Sequence, residues 1–421
     1  MDSSSGEKNY WALAGGGIAF LILPVAIFSS KAMTPLFILL AFVLFAQRVA
    51  HRNYQFAVPK LPFIAFIHLL IWAGLSVFWS FDQALSARLL LPLLALFAMG
   101  VFALDEVKST AKLQSDGLEK ALIVGAGLAI ALLFFESVTG SWLTRQGRGM
   151  PWYEVIKFAT GGINIAAFAK NGVVILSILI WPVMSGLWRR HQQLWAGAFV
   201  IATIYLVYRF SASTALVALA ASLIGVGLAI YQKKFAAIFV ASVFAIFVLS
   251  APFVVQQSIG HKSVKEVGQL AYDAKMPNSA INRLIIWQFA TKRILEKPFV
   301  GWGMNTARQI PGGSEKYTLR VDTSAKKNVA LFREFYVPLH THNQAIQIWL
   351  ELGAVGAIFV AAFGWLFIRK LGNTETDPAL FGVVISILVF NFLSYGAWQS
   401  WWIATQFLCL FVALASTRKT I

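Results

Sequence analysis

Three observations predict that this chain is an all-α polytopic membrane protein. Its 421 residues are 58% hydrophobic and only 13% charged, and the mean hydropathy is +0.70. Apolar runs long enough to cross a hydrocarbon core of about 30 Å as helices recur from end to end. These runs are continuous rather than alternating, which favours helices over a transmembrane β-barrel. We therefore expect one integral membrane domain over residues 1–421.

The lengths of the apolar runs predict about twelve transmembrane helices. In chain order they cover residues 10–29, 32–47, 60–79, 86–104, 120–138, 166–187, 194–209, 211–230, 235–254, 344–368, 378–396 and 399–416. The first span is interpreted as retained, because no basic region precedes it and no clear small-residue cleavage site follows it. Cys409 is the only cysteine, which excludes an internal disulfide and a multi-cysteine metal site.

The distribution of basic residues predicts the orientation of the spans. Cytoplasmic loops of membrane proteins carry an excess of lysine and arginine. With twelve spans, five basic segments fall on one side: Arg48, Arg52 and Lys60; Arg189 and Arg190; Lys233 and Lys234; Arg369 and Lys370; Arg418 and Lys419. That side is predicted to be the cytoplasm, so both termini are expected inside. This pattern also explains part of the net charge of +17 without invoking nucleic acid.

One long polar segment, residues 256–343, separates the ninth and tenth spans and is predicted to lie outside the cytoplasm. Its thirteen lysines and arginines exceed its six acidic residues, which gives a charge of +7. Long translocated loops can depart from the charge rule, so a solvated surface is one reading. A basic outer surface also suits a polyanionic partner, such as a lipid diphosphate or a phosphorylated glycolipid.

Two arginines lie where predicted spans meet this outer surface. Arg209 falls in the tight connection between the seventh and eighth spans, and Arg88 lies near the start of the fourth. An arginine at the lipid boundary costs free energy unless it is paired or solvated. Each is either a snorkelling anchor for a helix end or part of a binding site. Lys170 and Asn171 lie at the same level, early in the sixth span.

Residues 282–295 of the outer segment have helical spacing. Leu284, Trp287 and Ile294 can share one face, with Ile285 and Phe289 beside it, which predicts an amphipathic helix lying on the membrane surface. Arg283 lies near its N-terminus, where the helix dipole does not favour a cation. Residues 298–305, which contain Pro298 and two glycines, then predict a turn.

The outer segment ends in His340-Thr341-His342-Asn343, at the start of the tenth span. Histidines two residues apart do not share a helix face, and no HExxH motif or carboxylate cluster accompanies them, so no metal site or cofactor is predicted. They are either boundary histidines satisfied by the backbone or catalytic groups. Histidine is the usual general base near neutral pH, and arginine binds phosphate oxygens bidentately. Together these groups suit displacement of a diphosphate by a hydroxyl.

An ordered set of residues resembles the O-antigen ligase family, within the wider group of O-antigen polymerases and O-linked oligosaccharyltransferases. The set comprises Arg209-Phe-Ser-Ala-Ser, Arg283-x-x-x-Trp287, Pro298-x-x-Gly301-Trp302-Gly303-Met-Asn305, and His340-Thr-His342-Asn343 followed by Glu351-Leu-Gly353. The twelve-span layout and the long outer loop agree with that family. One departure is Tyr208, since family members often have a small residue beside the arginine.

The resemblance implies a GT-C-like, metal-independent, inverting glycosyltransferase of a Gram-negative inner membrane. It implies transfer of a glycan from undecaprenyl diphosphate to lipid A–core on the periplasmic face, with membrane lipids around it. By the same resemblance His342 is the catalytic histidine and His340 is secondary. Arg209 and Arg283 would bind the diphosphate, with Arg88 as a further candidate.

Other functions stay open at this point. A glycan polymerase would use the same type of donor with a second lipid-linked glycan as acceptor, and a related enzyme would glycosylate protein. A transporter of lipid-linked glycans is a different class. It would need polar groups along a transmembrane path, and the spans contain few.

Overall fold

The computed structural model describes residues 10–50, 60–109, 116–147, 149, 166–324, 326–373 and 375–417. The helices are α1 (Tyr10–Phe28), α2 (Met33–Ala50), α3 (Lys60–Leu75), α4 (Gln83–Ser109), α5 (Asp116–Thr139), α6 (Trp142–Gln146), α7 (Ala166–Arg189), α8 (Gln193–Arg209), α9 (Ser213–Val255), α10 (Val264–Asp273), α11 (Asn278–Glu296), α12 (Gln344–Ile368), α13 (Ala379–Leu393) and α14 (Ser400–Thr417). Two strands, β1 (Lys316–Val321) and β2 (Val329–Phe335), form an antiparallel hairpin. Short 3₁₀ turns cover Ser30–Ala32, Ser76–Trp79 and Arg369–Gly372, and a π turn covers Gln256–Gly260.

Helices that could span a membrane make up most of the described chain. Seven helical segments are long and apolar enough to do so, and four shorter apolar helices accompany them. The prediction of a multi-pass helical membrane protein is confirmed at this level. The predicted eighth and ninth spans lie within one continuous segment, Ser213–Gly260, which leaves helical geometry at Gln232 (φ −153°, ψ 96°). The number of crossings, twelve, stays a prediction.

Small residues allow the apolar helices to approach closely. A β-carbon at Gly125 of α5 would lie 2.4 Å from the carbonyl oxygen of Phe20 in α1. A β-carbon at Gly364 of α12 would lie 2.0 Å from the ring of Phe244 in α9. Close backbone approach at glycine is a common way for membrane helices to gain packing energy, because lipid gives them little hydrophobic drive to associate.

Ion pairs gather helix ends at the end of the bundle that is predicted to be cytoplasmic. Arg48 of α2 pairs with Asp105 and Glu106 of α4, at 2.8 Å each. Arg189 of α7 pairs with Glu119 of α5 at 2.5 Å and with Asp377, just before α13, at 2.8 Å. Its guanidinium also donates to the Ser416 carbonyl of α14. Helix ends that the sequence assigns to one side are therefore in direct contact.

The segment from 256 to 343 contains two helices and a hairpin that share a small core. The sequence did not predict the hairpin. In the structure, the residues of its strand Lys316–Val321 alternate strictly between exposed and buried. The helix α10 begins with a capping box, in which Ser263 and Glu266 satisfy each other's backbone N–H groups. The small core consists of Val267, Ala271, Ile281, Ile285, Tyr317, Leu319 and Val321.

The predicted amphipathic helix exists as α11, but its buried residues match the predicted face only in part. Leu284 and Trp287 are only half-buried, whereas Ile281, Ile285 and Ile294 are buried. The reason is that α11 packs on two sides: Ile281 and Ile285 contact the small core, and Ile294 contacts the main core of the bundle. Its apolar surface is therefore wider than the single stripe expected of a helix resting on lipid.

A corner formed by residues 298–304 interrupts α12 about 10 Å from its start. In an uninterrupted helix the carbonyls of Leu350 and Glu351 would accept from Ala354 and Val355. Here they accept from the N–H groups of Trp302 and Gly303, at 2.9 and 2.8 Å. In exchange, Ala354 and Val355 donate to the carbonyls of residues 298 and 299, at 2.8 and 3.3 Å.

Glycine makes this exchange possible at two positions. Gly353 has φ 65° and ψ −166°, which a side chain would strain, and a β-carbon there would lie 2.2 Å from the carbonyl oxygen of Phe299. A β-carbon at Gly301 would lie 2.4 Å from the backbone of Glu351. The two glycines of the sequence motifs thus allow two backbones to meet.

Candidate active site

The two histidines lie in a non-helical segment directly before α12. Asn343 begins that helix as its N-cap, with its side-chain oxygen accepting from Ile346 N–H at 3.1 Å. His342 has a positive φ of 55°, which curls the chain back on itself. Its backbone N–H donates to His340 Nδ1 at 3.0 Å, and the two ring centroids are 4.3 Å apart. The sequence argument that separated the rings assumed a helix, which this segment does not form.

One hydrogen bond determines which nitrogen of His342 is free for chemistry. Nδ1 lies 2.8 Å from the carbonyl oxygen of Ser394. A carbonyl only accepts, so Nδ1 carries the proton and the lone pair of the neutral ring is on Nε2. Burial and the nearby charge of Arg283 lower the pKa of His342, while the bond to Ser394 opposes that shift. His342 is therefore neutral at neutral pH, with an Nε2 atom able to take a proton.

His340 has a different geometry from His342. It is buried, and its Nδ1 is occupied as the acceptor for His342 N–H, so the ring proton is on Nε2. Burial, His342 and Arg283 lower the pKa of His340 to about 3. A neutral ring whose free nitrogen carries a proton cannot act as a base at that atom. His340 instead holds the backbone of His342 in its unusual conformation.

Arg283 faces the histidines from α11. Its side chain is half-buried and, among the residues that the structure describes, makes no hydrogen bond or ion pair. Burial accordingly lowers its pKa. Trp287, one turn further along α11, donates from Nε1 to the Thr341 carbonyl at 2.9 Å. The spacing Arg283-x-x-x-Trp287 thus fixes the arginine beside the histidine segment.

A second cation, Lys170, and a tyrosine, Tyr395, lie near Arg283. Lys170 Nζ donates to the Ser211 carbonyl at 3.3 Å, and the positive charges of Lys170 and Arg283 repel each other. The hydroxyl of Tyr395 donates to Asn171 Oδ1 at 3.0 Å. The sequence placed Lys170 and Asn171 at this level without a role. It missed Ser394 and Tyr395, for which two polar residues at the end of an apolar run were the only signal.

Arg209 lies next to this cluster but has a structural partner. Its Nη2 atom donates to the Ser137 carbonyl at 2.9 Å, in the last turn of α5. Cations at a helix C-terminus satisfy free carbonyls and interact well with the dipole. The positive φ of Ser211 (49°) closes the turn, so that its carbonyl can meet Lys170. Arg209 is therefore half-buried beside the site with part of its guanidinium engaged.

Arg88 is exposed on α4 and is not brought to the histidines by any contact within the described residues. Ser86, two residues before Arg88, donates to the Met304 carbonyl at 2.5 Å, which ties α4 to the corner at 298–304. Arg88 is therefore close in sequence to a contact with the corner. A role for it in binding stays a prediction.

Glu351 is fully buried (0% exposed) and joins the corner to the turn that holds His342. One carboxylate oxygen accepts from Asn305 N–H at 2.7 Å and from Trp398 Nε1–H. The other accepts from Ala307 N–H at 3.1 Å and from Gln347 Nε2 at 3.2 Å. All four partners donate, which fits an ionised carboxylate.

Three side chains of α12 hold the turn at residues 394–399. Gln344 donates to the Gly396 carbonyl at 3.3 Å, Gln347 accepts from Ala397 N–H at 2.9 Å, and Glu351 accepts from Trp398. Spaced three and four residues apart, they lie on one helix face. They hold the turn whose Ser394 carbonyl fixes the ring of His342.

Comparison with known proteins follows the same part of the chain. Residues 197–361 match the family model Wzy_C, described as O-antigen ligase. This range includes Arg209, Arg283, His340, His342 and Glu351, but not Arg88 or Lys170.

Curated relatives extend the similarity over more of the chain. A Rickettsia conorii protein named "putative polysaccharide ligase" is 28% identical over 342 residues, which is 78% of this chain and 74% of that protein. Proteins of the same name from Rickettsia felis and Rickettsia typhi are 28% and 27% identical over 298 and 293 residues. Those alignments cover 68% of this chain and 65% and 64% of the relatives, just under two thirds of their length. No solved structure matches this chain.

Proposed function

We propose, from the match of residues 197–361 to the O-antigen ligase family model, that this chain is a glycosyltransferase, which moves O-antigen glycan from undecaprenyl diphosphate to a sugar hydroxyl of lipid A–core. The observation that supports this most directly is the pairing of His342 with Arg283. A neutral imidazole whose Nε2 lone pair is available lies beside a half-buried guanidinium with no anionic partner among the described residues. A base and an anion-binding cation are what attack by a hydroxyl on a diphosphate-linked sugar requires.

The proposed reaction is a single displacement at the anomeric carbon. The acceptor hydroxyl oxygen forms a bond to that carbon, and its proton passes to Nε2 of His342. The bond between the anomeric carbon and the diphosphate oxygen breaks, and the electron pair leaves with the diphosphate. Attack opposite the leaving group inverts the anomeric configuration, in keeping with the GT-C-like class. Protonated His342 then returns its proton to water.

The developing negative charge is proposed to be stabilised by cations of the protein. Arg283 offers a bidentate fork, and Lys170 adds a point charge from α7. Arg209 contributes the N–H groups that do not contact Ser137. No metal is needed in this scheme, because the guanidinium and ammonium groups can neutralise a diphosphate as it departs.

The location follows from the same proposal. The enzyme would lie in the inner membrane of a Gram-negative bacterium, with both termini in the cytoplasm. Its histidine cluster would face the periplasm, where lipid-linked O-antigen and lipid A–core are both presented. The basic segment at 256–343 would then lie on the side of the membrane where the phosphate-bearing donor is presented.

Reconstitution into vesicles with undecaprenyl-diphosphate glycan tests the proposal. Lipid A–core and a second lipid-linked glycan are offered as alternative acceptors, each with and without chelator. Transfer to lipid A–core that survives chelator is expected, and transfer only to the second glycan would identify a polymerase. Chelator-sensitive transfer would contradict the metal-independent scheme, and uptake of lipid-linked glycan without product would favour a transporter.

Matched variants test the two central residues in the same assay. His342→Ala and Arg283→Ala are expected to abolish most transfer, because one removes the base and the other the fork for the diphosphate. His261→Ala and Arg333→Ala change an exposed histidine and an exposed arginine of the same segment and serve as controls. Wild-type rates for both site variants would overturn the mechanism.

A further inference from the structure

A groove of about 670 Å³ lies beside the corner at 298–304, apart from the histidine cluster. One wall comes from the connection between α3 and α4, and the other from the segment between α11 and β1. Its polar lining consists of Ser80, Asp82, Gln83, Arg308, Gln309 and Ser314. Its volume is in the range of small-molecule sites. The proposed displacement does not use these six residues, three of which come from each wall.

The two walls are held together by contacts that fix the shape of the groove. Phe81 N–H donates to the Trp302 carbonyl at 2.9 Å, and Ser86 donates to the Met304 carbonyl at 2.5 Å. Gly303 lies so close to Ser80 that a β-carbon on it would be 2.3 Å from Ser80 Cα. The groove is therefore a property of the folded corner rather than of a loose loop.

The hydrogen-bonding capacity of the lining exceeds what the fold uses. Asp82 caps α4 with one oxygen, at 2.9 Å from Leu85 N–H, which leaves the other oxygen available. The side chains of Gln309 and Ser314 make no hydrogen bond with any described residue. Arg308 lies over the Phe335 ring, 4.9 Å from its centroid, and its N–H groups make no ion pair within the described ranges.

These groups fit a polyhydroxylated ligand better than a polyanion. Sugar hydroxyls both donate and accept, so they can pair with a carboxylate, an amide, a hydroxyl and a guanidinium at once. The negative charge of Asp82 would repel a second diphosphate in the groove, whereas the cations around Arg283 would attract one. Phe81, which is 51% exposed at the edge, offers a flat apolar face to the C–H side of a sugar ring.

We propose that this groove is a saccharide-binding subsite that holds sugars beyond the two that react. The proposal rests on the proposed function for the identity of the two glycans. Two molecules contain sugars of this kind: the acceptor, in its core oligosaccharide, and the donor, in its glycan. In either case the groove adds affinity and selects the substrate without touching the bond that forms.

The groove is linked to the site through Glu351. Asn305 and Ala307, which follow the corner directly, donate to its carboxylate, and Trp398 donates to it from the turn that holds His342. A chain bound beside Arg308 and Gln309 would therefore be positioned relative to the base by a fixed part of the protein.

Direct binding of water-soluble sugars tests the groove without requiring transfer. Core oligosaccharide released from lipid A and glycan released from its lipid are titrated separately into the full chain in nanodiscs by calorimetry. The double variant Arg308→Ala/Gln309→Ala is expected to weaken binding of one of them about tenfold or more, because a charged and a neutral hydrogen-bonding partner are lost. Glu315→Gln, an exposed change next to Ser314 but outside the lining, serves as control.

Each outcome has a defined meaning. Weaker binding of core oligosaccharide assigns the groove to the acceptor, and weaker binding of the released glycan assigns it to the donor. In transfer assays the KM of the same substrate should rise while kcat is retained. Absence of binding by either sugar, or equal affinity of variant and wild type, overturns the subsite. If transfer fails in the wild type but the binding difference persists, the proposed function falls and the subsite stands. A thermal melt of the double variant, with Gln309→Ala alone as a milder change, separates lost binding from lost folding.

Discussion

Replacing Glu351 by glutamine should destabilise the fold strongly, although the two side chains have nearly the same size. The carboxylate is fully buried and accepts four N–H donors, from Asn305, Ala307, Gln347 and Trp398. Glutamine keeps one oxygen and replaces the other with an NH₂ group, which only donates. Whichever oxygen is replaced, two buried N–H groups then face a donor.

The cost follows from those two groups. A buried donor left without an acceptor costs about 1–3 kcal/mol, so Glu351→Gln should lower the free energy of unfolding by about 2–6 kcal/mol. Transfer should slow as well, because the turn that carries the Ser394 carbonyl is held by Trp398 and by Gln347, and one of these two loses its acceptor on residue 351. The assay is denaturant unfolding in micelles, followed by tryptophan fluorescence.

Glu315→Gln is the matched control. Its carboxylate is exposed and makes no hydrogen bond with a described residue, so the change should stay within about 0.5 kcal/mol of wild type. If Glu351→Gln unfolds at the same denaturant concentration as Glu315→Gln, the four-donor argument is wrong. The same result would remove the physical link drawn between the corner and the turn.

Four further predictions concern the site and the opposite end of the bundle. His342→Ala should lower the kcat of transfer by about 10²- to 10⁴-fold, the range for loss of a general base. In the same transfer assay His340→Asn should retain more activity than His340→Ala, because an amide oxygen can still accept from His342 N–H. Arg283→Lys should leave transfer at least tenfold below wild type in initial-rate assays, since a point charge replaces a bidentate fork; equal rates would show that charge alone suffices. The acid limb of the kcat profile should lie below pH 6.5, since burial and Arg283 lower the pKa of His342, and Arg283→Gln should move that limb to higher pH by removing one cause of the shift; an unmoved limb would exclude His342 as the titrating base. Arg48→Ala should cost about 3–5 kcal/mol in denaturant unfolding, because two buried carboxylates of α4 lose their cation, and the exposed change Lys31→Ala should not.

Hydropathy was sufficient to predict the helices that make up most of the chain, because lipid leaves the backbone no alternative. It could not predict the interruption of α12, since residues 344–368 form one predominantly apolar run that continues through Gly353. The break in α9 at Gln232 does fall between the predicted spans 211–230 and 235–254. The interruption of α12 depends instead on a distant segment, residues 298–304, which supplies the missing hydrogen bonds.

Residue chemistry identified His342 and Arg283 as candidates, and the structure brings them together. The roles of the two histidines could not be separated from the sequence, because the difference depends on one carbonyl, that of Ser394, which has no side-chain signature. Arg209 could not be assigned either, since its partner is another backbone carbonyl 72 residues away. Backbone atoms decide these roles, and sequence patterns do not report them.

The exchange of hydrogen bonds between the corner and α12 also constrains how the newly made chain can reach its final form. Residues 298–304 are synthesised before the helix that receives them, so the corner cannot complete its hydrogen bonds until Gln344–Ile368 has been made. Until then its N–H groups and the carbonyls of the helix remain exposed to a nonpolar environment or to water. The outer segment and α12 thus form a single unit of biogenesis. A cut or a long insertion between them would separate two halves of one hydrogen-bonded structure.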